Sequence, residues 1–255
     1  MAKKKTKHDH GPDSSSSPAP ASAQAGTEAS HHASFPIVAL GASAGGLAPL
    51  RTFFANVAPD SGMAYIVVVH LAPDQRSAMA EILDRVASIP VTEAEDGEEL
   101  KADHACVAPP GKEITVYHGK IHLLEPAQSA PLRAIDPLFR SLGKDQHSNA
   151  AAIVLSGSGT DGSLGVKEVK AQEGLVLVQS RETTEHPDMP RNALLAGVVD
   201  MELAPEAMPE VLVQHFAKLR EAAELKVEDV GAERERWLQK IFAIIRTQIG
   251  HDFAG

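Results

Sequence analysis

Residues 37–46 read Ile37-Val38-Ala39-Leu40-Gly41-Ala42-Ser43-Ala44-Gly45-Gly46. An apolar run leads straight into a serine framed by small residues. The first part reads as a buried strand, the second as a tight strand-to-helix turn with a hydroxyl at its tip. Leu50, Phe53, Phe54 and Val57 follow at i, i+3, i+4 and i+7, one face of a helix. Two later strands end in other reactive residues. Tyr65-Ile66-Val67-Val68-Val69 runs into His70, and Ile153-Val154-Leu155 runs into Ser156-Gly157-Ser158-Gly159-Thr160-Asp161-Gly162. In a parallel sheet all three strand ends lie on one edge, where open α/β folds place their sites.

The rest of the chain extends this pattern. Met79, Ile82, Leu83 and Val86 repeat the helical spacing, as do Ile135, Leu138, Phe139 and Leu142; Leu212, Phe216 and Leu219 mark a later helix. Leu175-Val176-Leu177-Val178 reads as another buried strand, and Val198-Val199 as the start of a short one. Continuous apolar strands between amphipathic helices predict a doubly wound α/β fold, its mainly parallel sheet covered on both faces. Ile114 to Leu123 alternates with period two about His118-Gly119. That predicts a hairpin, expected to add antiparallel strands at one edge.

Composition sets the remaining bounds. The chain has 255 residues, 43% of them hydrophobic, enough for one substantial domain. A net charge of −10 with no basic face argues against a nucleic-acid partner. Cys106 is the single cysteine, so no disulfide forms within the chain, which fits a cytoplasmic protein. No apolar run reaches about 18 residues, so membrane insertion is not expected. Residues 1–34 are rich in Lys, Ser, Pro, Ala, Gly and His, a composition that predicts a disordered tail. Residues 35–219 read as the folded domain. From 220 to 255 the chain is charged and then amphipathic, with Trp237, Leu238, Ile241, Phe242, Ile245 and Ile249 on one face; this reads as a linker helix.

Ser, His and Asp on one edge are the parts of a serine hydrolase. A serine hydroxyl needs a base to take its proton, and the base needs an acid to fix its tautomer. Ser43 is the candidate nucleophile, His70 the base and Asp161 its partner. Asp161 also suits a turn or the cap of the helix after it. The helix after Ser43 would turn its positive end toward a developing oxyanion. The Ala44 N–H is the first candidate donor; a second is expected from the glycine-rich segment Gly157 to Gly159, with Ser158 and Gly159 as candidates. This chemistry needs no metal and no cofactor.

Dinucleotide binding is excluded, because Ser43 occupies the place of the second glycine of Gly-x-Gly-x-x-Gly and the second strand ends in His70 rather than an acid. A phosphate-binding loop lacks its lysine after Gly46. Cys106 lies in an apolar stretch and reads as a small buried residue. His186 and Arg191 flank Pro187-Asp188-Met189-Pro190; the segment suits either substrate contact or a helix start.

These residues resemble the catalytic domain of the chemotaxis protein-glutamate methylesterases. The resemblance covers roughly 35 to 219 and rests on Gly-Ala-Ser-Ala-Gly-Gly at 41–46, the strand ending in His70, Gly-Ser-Gly-Thr-Asp-Gly at 157–162, and Met189-Pro190-Arg191. It implies the Ser43, His70, Asp161 triad; Met189 and Arg191, in the loop that reaches the same edge, are candidates for substrate contact. The implied substrate is a glutamate γ-methyl ester on the cytoplasmic helices of a chemotaxis receptor, with glutamine deamidation in some members. Two positions depart: the family often has Thr at 44 and Met at 158. Typical members also carry a receiver domain, and here residues 1–34 stand in its place. Ile244 to Phe253 resembles the opening helix of the partner receptor methyltransferases, which implies a methylesterase–methyltransferase fusion.

Overall fold

The computed structural model describes residues 33–70, 78–126 and 133–249. The expectation of a disordered tail falls, for residues 1–32, outside them. Seven strands form one parallel sheet: β1 (Ile37–Ala42), β2 (Ala64–Val69), β3 (Val91–Glu93), β4 (His104–Val107), β7 (Ala150–Val154), β8 (Leu175–Gln179) and β9 (Met201–Leu203). Their order is β3-β4-β2-β1-β7-β8-β9, and every pairing is parallel. The chain therefore builds outward from β1 in one direction and later returns to β1's other side. That reversal makes a topological switch point between β1 and β7, and the crevice beyond the strand ends is where such folds bind ligands.

Side chains alternate along each strand and build two cores. Val38, Leu40, Tyr65 and Val67 pack against α1 (Leu47–Ala55), α2 (Met79–Asp84) and the start of α6 (Met208–Ile249). Phe53, Phe54 and Tyr65 meet edge to face there, with ring centroids 5.3–6.0 Å apart. Each such ring contributes roughly 1.5–3 kcal/mol through burial. On the other face Ala39, Ile66, Val68 and Val154 pack against α3 (Ile135–Gln146), α4 (Gly165–Ala171) and α5 (Asp188–Leu195).

The hairpin forms from β5 (Glu113–Tyr117) and β6 (Lys120–Leu124), in antiparallel register. Its strands make a separate two-stranded sheet, whereas the sequence predicts antiparallel strands added at one edge of the main sheet. The reason is α3. Ile114, Val116 and Ile121 bury against the core that holds Leu138, Phe139 and Leu142. Ser141 Oγ accepts the Val116 N–H, and the Asp145 carboxylate accepts those of His118 and Gly119. The short strand expected at Val198-Val199 starts instead at Met201. Val198 and Val199 pack on the core, while Asp200 ties the chain to β8 through the Val176 N–H and carbonyl. α6 runs unbroken from Met208 to Ile249, so the later helix and the linker helix are one element.

Candidate active site

Ser43 stands directly after β1 and is clamped through its backbone. Its N–H donates to the Ser156 carbonyl at 2.9 Å, and its carbonyl accepts the Gly46 N–H at 2.9 Å. Gly45 completes the turn at φ +70°, a conformation most residues resist. A Cβ there would also lie 2.8 Å from His186 Cδ2. α1 begins four residues after Ser43, so its free N–H groups and positive end point back to this turn.

His70 follows β2 at the same level. Ala42 and Val69 are in register, and the His70 N–H donates to the Ala42 carbonyl at 3.2 Å. Asp161 arrives through the loop after β7. His70 Nε2 lies 2.7 Å from Asp161 Oδ2, with the histidine side chain 22% exposed and the aspartate side chain 7%. The sequence had placed Asp161 either beside the histidine or at the start of the following helix. It bonds the histidine, and it caps a different helix. Oδ2 accepts the Ile135 N–H and Oδ1 the Asp136 N–H, both at 3.0 Å and both at the start of α3; Oδ1 also accepts Gly162 N–H at 3.0 Å. Burial raises the Asp161 pKa, but the His70 hydrogen bond and the Ile135 and Asp136 N–H groups outweigh it and hold the carboxyl below its ordinary value.

The cap of α4 is Asp136, which sequence reasoning missed. Its Oδ1 accepts the N–H groups of Leu164 and Gly165, at 3.1 and 2.7 Å. Burial is the main influence raising its pKa, and the nearby Asp161 charge adds to it. Thus Asp161 starts α3, and an aspartate on α3 starts α4. Asp-Pro in a first turn was the available signal, but its partner helix lies 28 residues on.

Ser156 was also missed. It is fully buried, and its Oγ donates to the Ala44 carbonyl at 2.9 Å and accepts the His186 N–H at 3.1 Å. Its own N–H donates to Gln179 Oε1 at 2.8 Å. One hydroxyl therefore joins the Ser43 turn to the loop before α5. Gly157 lies between them: a Cβ there would come 2.9 Å from Ser43 Cβ and 2.1 Å from Met189 Sδ.

The remaining candidates separate. Ala44 is exposed and lines, with Ser43, His70, Arg51, Met79 and Glu185, an open pocket of about 550 Å³. Ser158 and Gly159 are exposed on the Asp161 loop, where Asn192 Nδ2 holds the Gly159 carbonyl at 2.8 Å. Gly157 N–H is committed to the His186 carbonyl, so it is not free to serve an oxyanion. Met189 is fully buried behind Gly157; it packs under the site and does not face the pocket, contrary to the reading that put it near substrate. Arg191 is exposed on α5, away from the pocket lining. His186 contributes backbone groups to the site. Among the described residues, the one group of His, Cys and acidic side chains close enough to share an ion lies elsewhere, at Glu98, His104 and Cys106.

The arrangement is suited to acyl transfer: a hydroxyl in a rigid turn, and an imidazole whose one ring nitrogen is fixed by a carboxylate. Comparison with known proteins agrees with this geometry. Residues 38–212 match the family model described as CheB methylesterase. A protein-glutamate methylesterase/protein-glutamine glutaminase of Geobacillus kaustophilus is 34% identical over 184 residues, covering 70% of this chain and 53% of that protein. One from Anaeromyxobacter dehalogenans is 35% identical over 191 residues, 71% of this chain and 54% of that one. The chain thus spans about half the length of these curated relatives. The crystal structure of the Thermotoga maritima CheB methylesterase catalytic domain superposes with a TM-score of 0.66 at 29% identity, covering 71% of this chain and 99% of that one. With the family model matched across the sheet, both cores and all three strand ends, this chain belongs to the CheB methylesterase family.

Proposed function

We propose that this protein is a serine esterase that removes methyl groups from glutamate side chains on the cytoplasmic helices of chemotaxis receptors. The observation that carries the reading is the 2.7 Å His70–Asp161 contact on the strand edge that also presents Ser43. Asp161 accepts a hydrogen bond from the N–H of His70 Nε2, which leaves Nδ1 as the nitrogen that takes a proton from Ser43. Ser43 Oγ then attacks the γ-carbonyl. The Ala44 N–H and the positive end of α1 are suited to the tetrahedral oxyanion, with Ser158 or Gly159 as the second donor. His70 returns its proton to the departing methoxide, methanol leaves, and water releases the glutamate by the reverse sequence. Glutamine deamidation follows the same course with ammonia as the leaving group, in line with the double name of the relatives.

Among the described residues no helix is long and apolar enough to cross a membrane. We place the protein in the cytoplasm, with residues 35–219 as the catalytic unit and 220–255 as a linker toward a methyltransferase-like partner. The test is methanol release from methylated receptor helices, comparing the wild type with Ser43→Ala. Release that depends on Ser43 supports the reading. Binding of the helices without release identifies a non-catalytic receptor module, and Ser43-dependent hydrolysis of other acyl groups alone identifies a different substrate.

A further inference from the structure

We propose that Glu98, His104 and Cys106 form a binding site for a transition-metal dication of the Zn²⁺ class, remote from Ser43. His104 and Cys106 stand two residues apart on β4 and so share one face of the strand. The loop between β3 and β4 brings Glu98 over them. That loop is pinned to the hairpin: Gly97 N–H donates to the Ile121 carbonyl and Ile121 N–H to the Glu98 carbonyl, both at 2.8 Å.

The donor atoms are already close to a coordination shell. Cys106 Sγ lies 3.6 Å from His104 Nδ1 and 3.9 Å from Glu98 Oε2, and all three donor atoms fall within 4.8 Å of one another. Zinc bonds of about 2.3 Å to sulfur and about 2.0–2.1 Å to nitrogen or oxygen, at tetrahedral angles, separate neighbouring donors by about 3.5 Å. Small side-chain movements close that difference. The outer partners that orient metal ligands are present as well. Thr92, opposite Cys106 in register, places Oγ1 3.4 Å from His104 Nε2, which leaves Nδ1 for the ion. Glu98 Oε2 accepts the Glu95 N–H at 3.2 Å.

Cys106 is 1% exposed, and Glu98 and His104 are half-buried. An ion entering from solvent therefore meets the sulfur at the floor and the other two donors at the rim. Thiolate with imidazole and carboxylate selects Zn²⁺ over Mg²⁺ or Ca²⁺. Binding releases the thiol proton and leaves the fourth position to water. The ion would tie the hairpin-pinned loop to β4, so occupancy raises the thermal midpoint.

Cys106 is the only cysteine of the chain, so a thiolate-to-cobalt charge-transfer band reports this site and none of the chain's other histidines. The experiment is titration of the full metal-free chain with Co²⁺, followed by Zn²⁺. The band is expected to saturate at one equivalent, to bleach when Zn²⁺ displaces Co²⁺, and to be absent from Cys106→Ser. His104→Ala and Glu98→Gln should each weaken binding at least about 10-fold, and Thr92→Val about 10-fold through His104. Circular dichroism of each variant establishes that it is folded. A wild type with no thiolate band overturns the proposal. So does a band that survives unchanged in folded His104→Ala and Glu98→Gln, because the thiol would then bind metal alone.

Discussion

Asp161 and His70 are joined at 2.7 Å through the same carboxylate oxygen that accepts the Ile135 N–H at the start of α3. The acid that steadies the imidazole is therefore also a structural cap, and its replacement acts on rate and stability together.

Asp161→Asn tests this double role. A carboxamide has one acceptor oxygen where the carboxylate accepts four donors, from His70, Ile135, Asp136 and Gly162. Turnover should fall about 10⁴-fold, as for the corresponding change in serine proteases. Unfolding free energy should drop by about 1–3 kcal/mol as at least one buried donor loses its acceptor. Steady-state kinetics and urea unfolding measure the two effects. A fully active Asp161→Asn reduces the site to a Ser43–His70 pair.

The pH dependence of stability follows from the same carboxylate. Its folded pKa is depressed, so its contribution is present above the unfolded value of about 3.9 and is lost as pH falls through the lower folded value. The wild type's advantage over Asp161→Asn in urea midpoint should therefore shrink as pH falls below about 4. A difference that grows as pH falls below about 4 contradicts the depressed pKa.

Gly157→Ala separates packing from chemistry. The added methyl meets Met189 Sδ and Ser43 Cβ. The Met189 contact can be relieved by substitution, whereas the Ser43 contact lies against the clamped turn. Gly157→Ala should cost about 1–3 kcal/mol and depress kcat. Adding Met189→Ala should recover part of the thermal midpoint through relief of that clash, without restoring kcat. Recovery of kcat in the double variant would show that Gly157 serves Met189 alone.

Ser156→Ala removes the hydroxyl that joins the Ala44 carbonyl to the His186 N–H. A stability loss of about 1–3 kcal/mol is expected from the buried groups left unpaired. The Ser43 turn loosens with it, so kcat should fall more than KM rises. Calorimetry and kinetics on the same preparation decide this; a change in KM alone would place Ser156 outside the positioning of Ser43.

Much of this site is legible in the sequence, because its three side chains follow apolar strands and parallel pairing aligns strand ends. Ser43 and His70 need only the register Ala42–Val69 to become neighbours. What periodicity does not carry is the partner of each polar group. Asp161 caps a helix that precedes it in the chain, and Asp136 caps the one that follows. Ser156 looks like one more small residue in a glycine-rich loop, although its hydroxyl joins two loops. The hairpin's alternation reveals its strands, but its seat depends on Ser141 and Asp145 of α3. Cys106 reads as buried and is buried, while its neighbour Glu98 arrives through a loop whose position the hairpin sets.

The central claim is that Ser43 is the nucleophile of a methylesterase. Methanol release from methylated receptor helices, measured for the wild type and Ser43→Ala, tests it most directly. The predicted result is a loss on the order of 10⁶ in kcat with an unchanged thermal midpoint, since the Ser43 backbone bonds that hold the turn do not involve its hydroxyl. Wild-type methanol release by a folded Ser43→Ala protein would contradict the account.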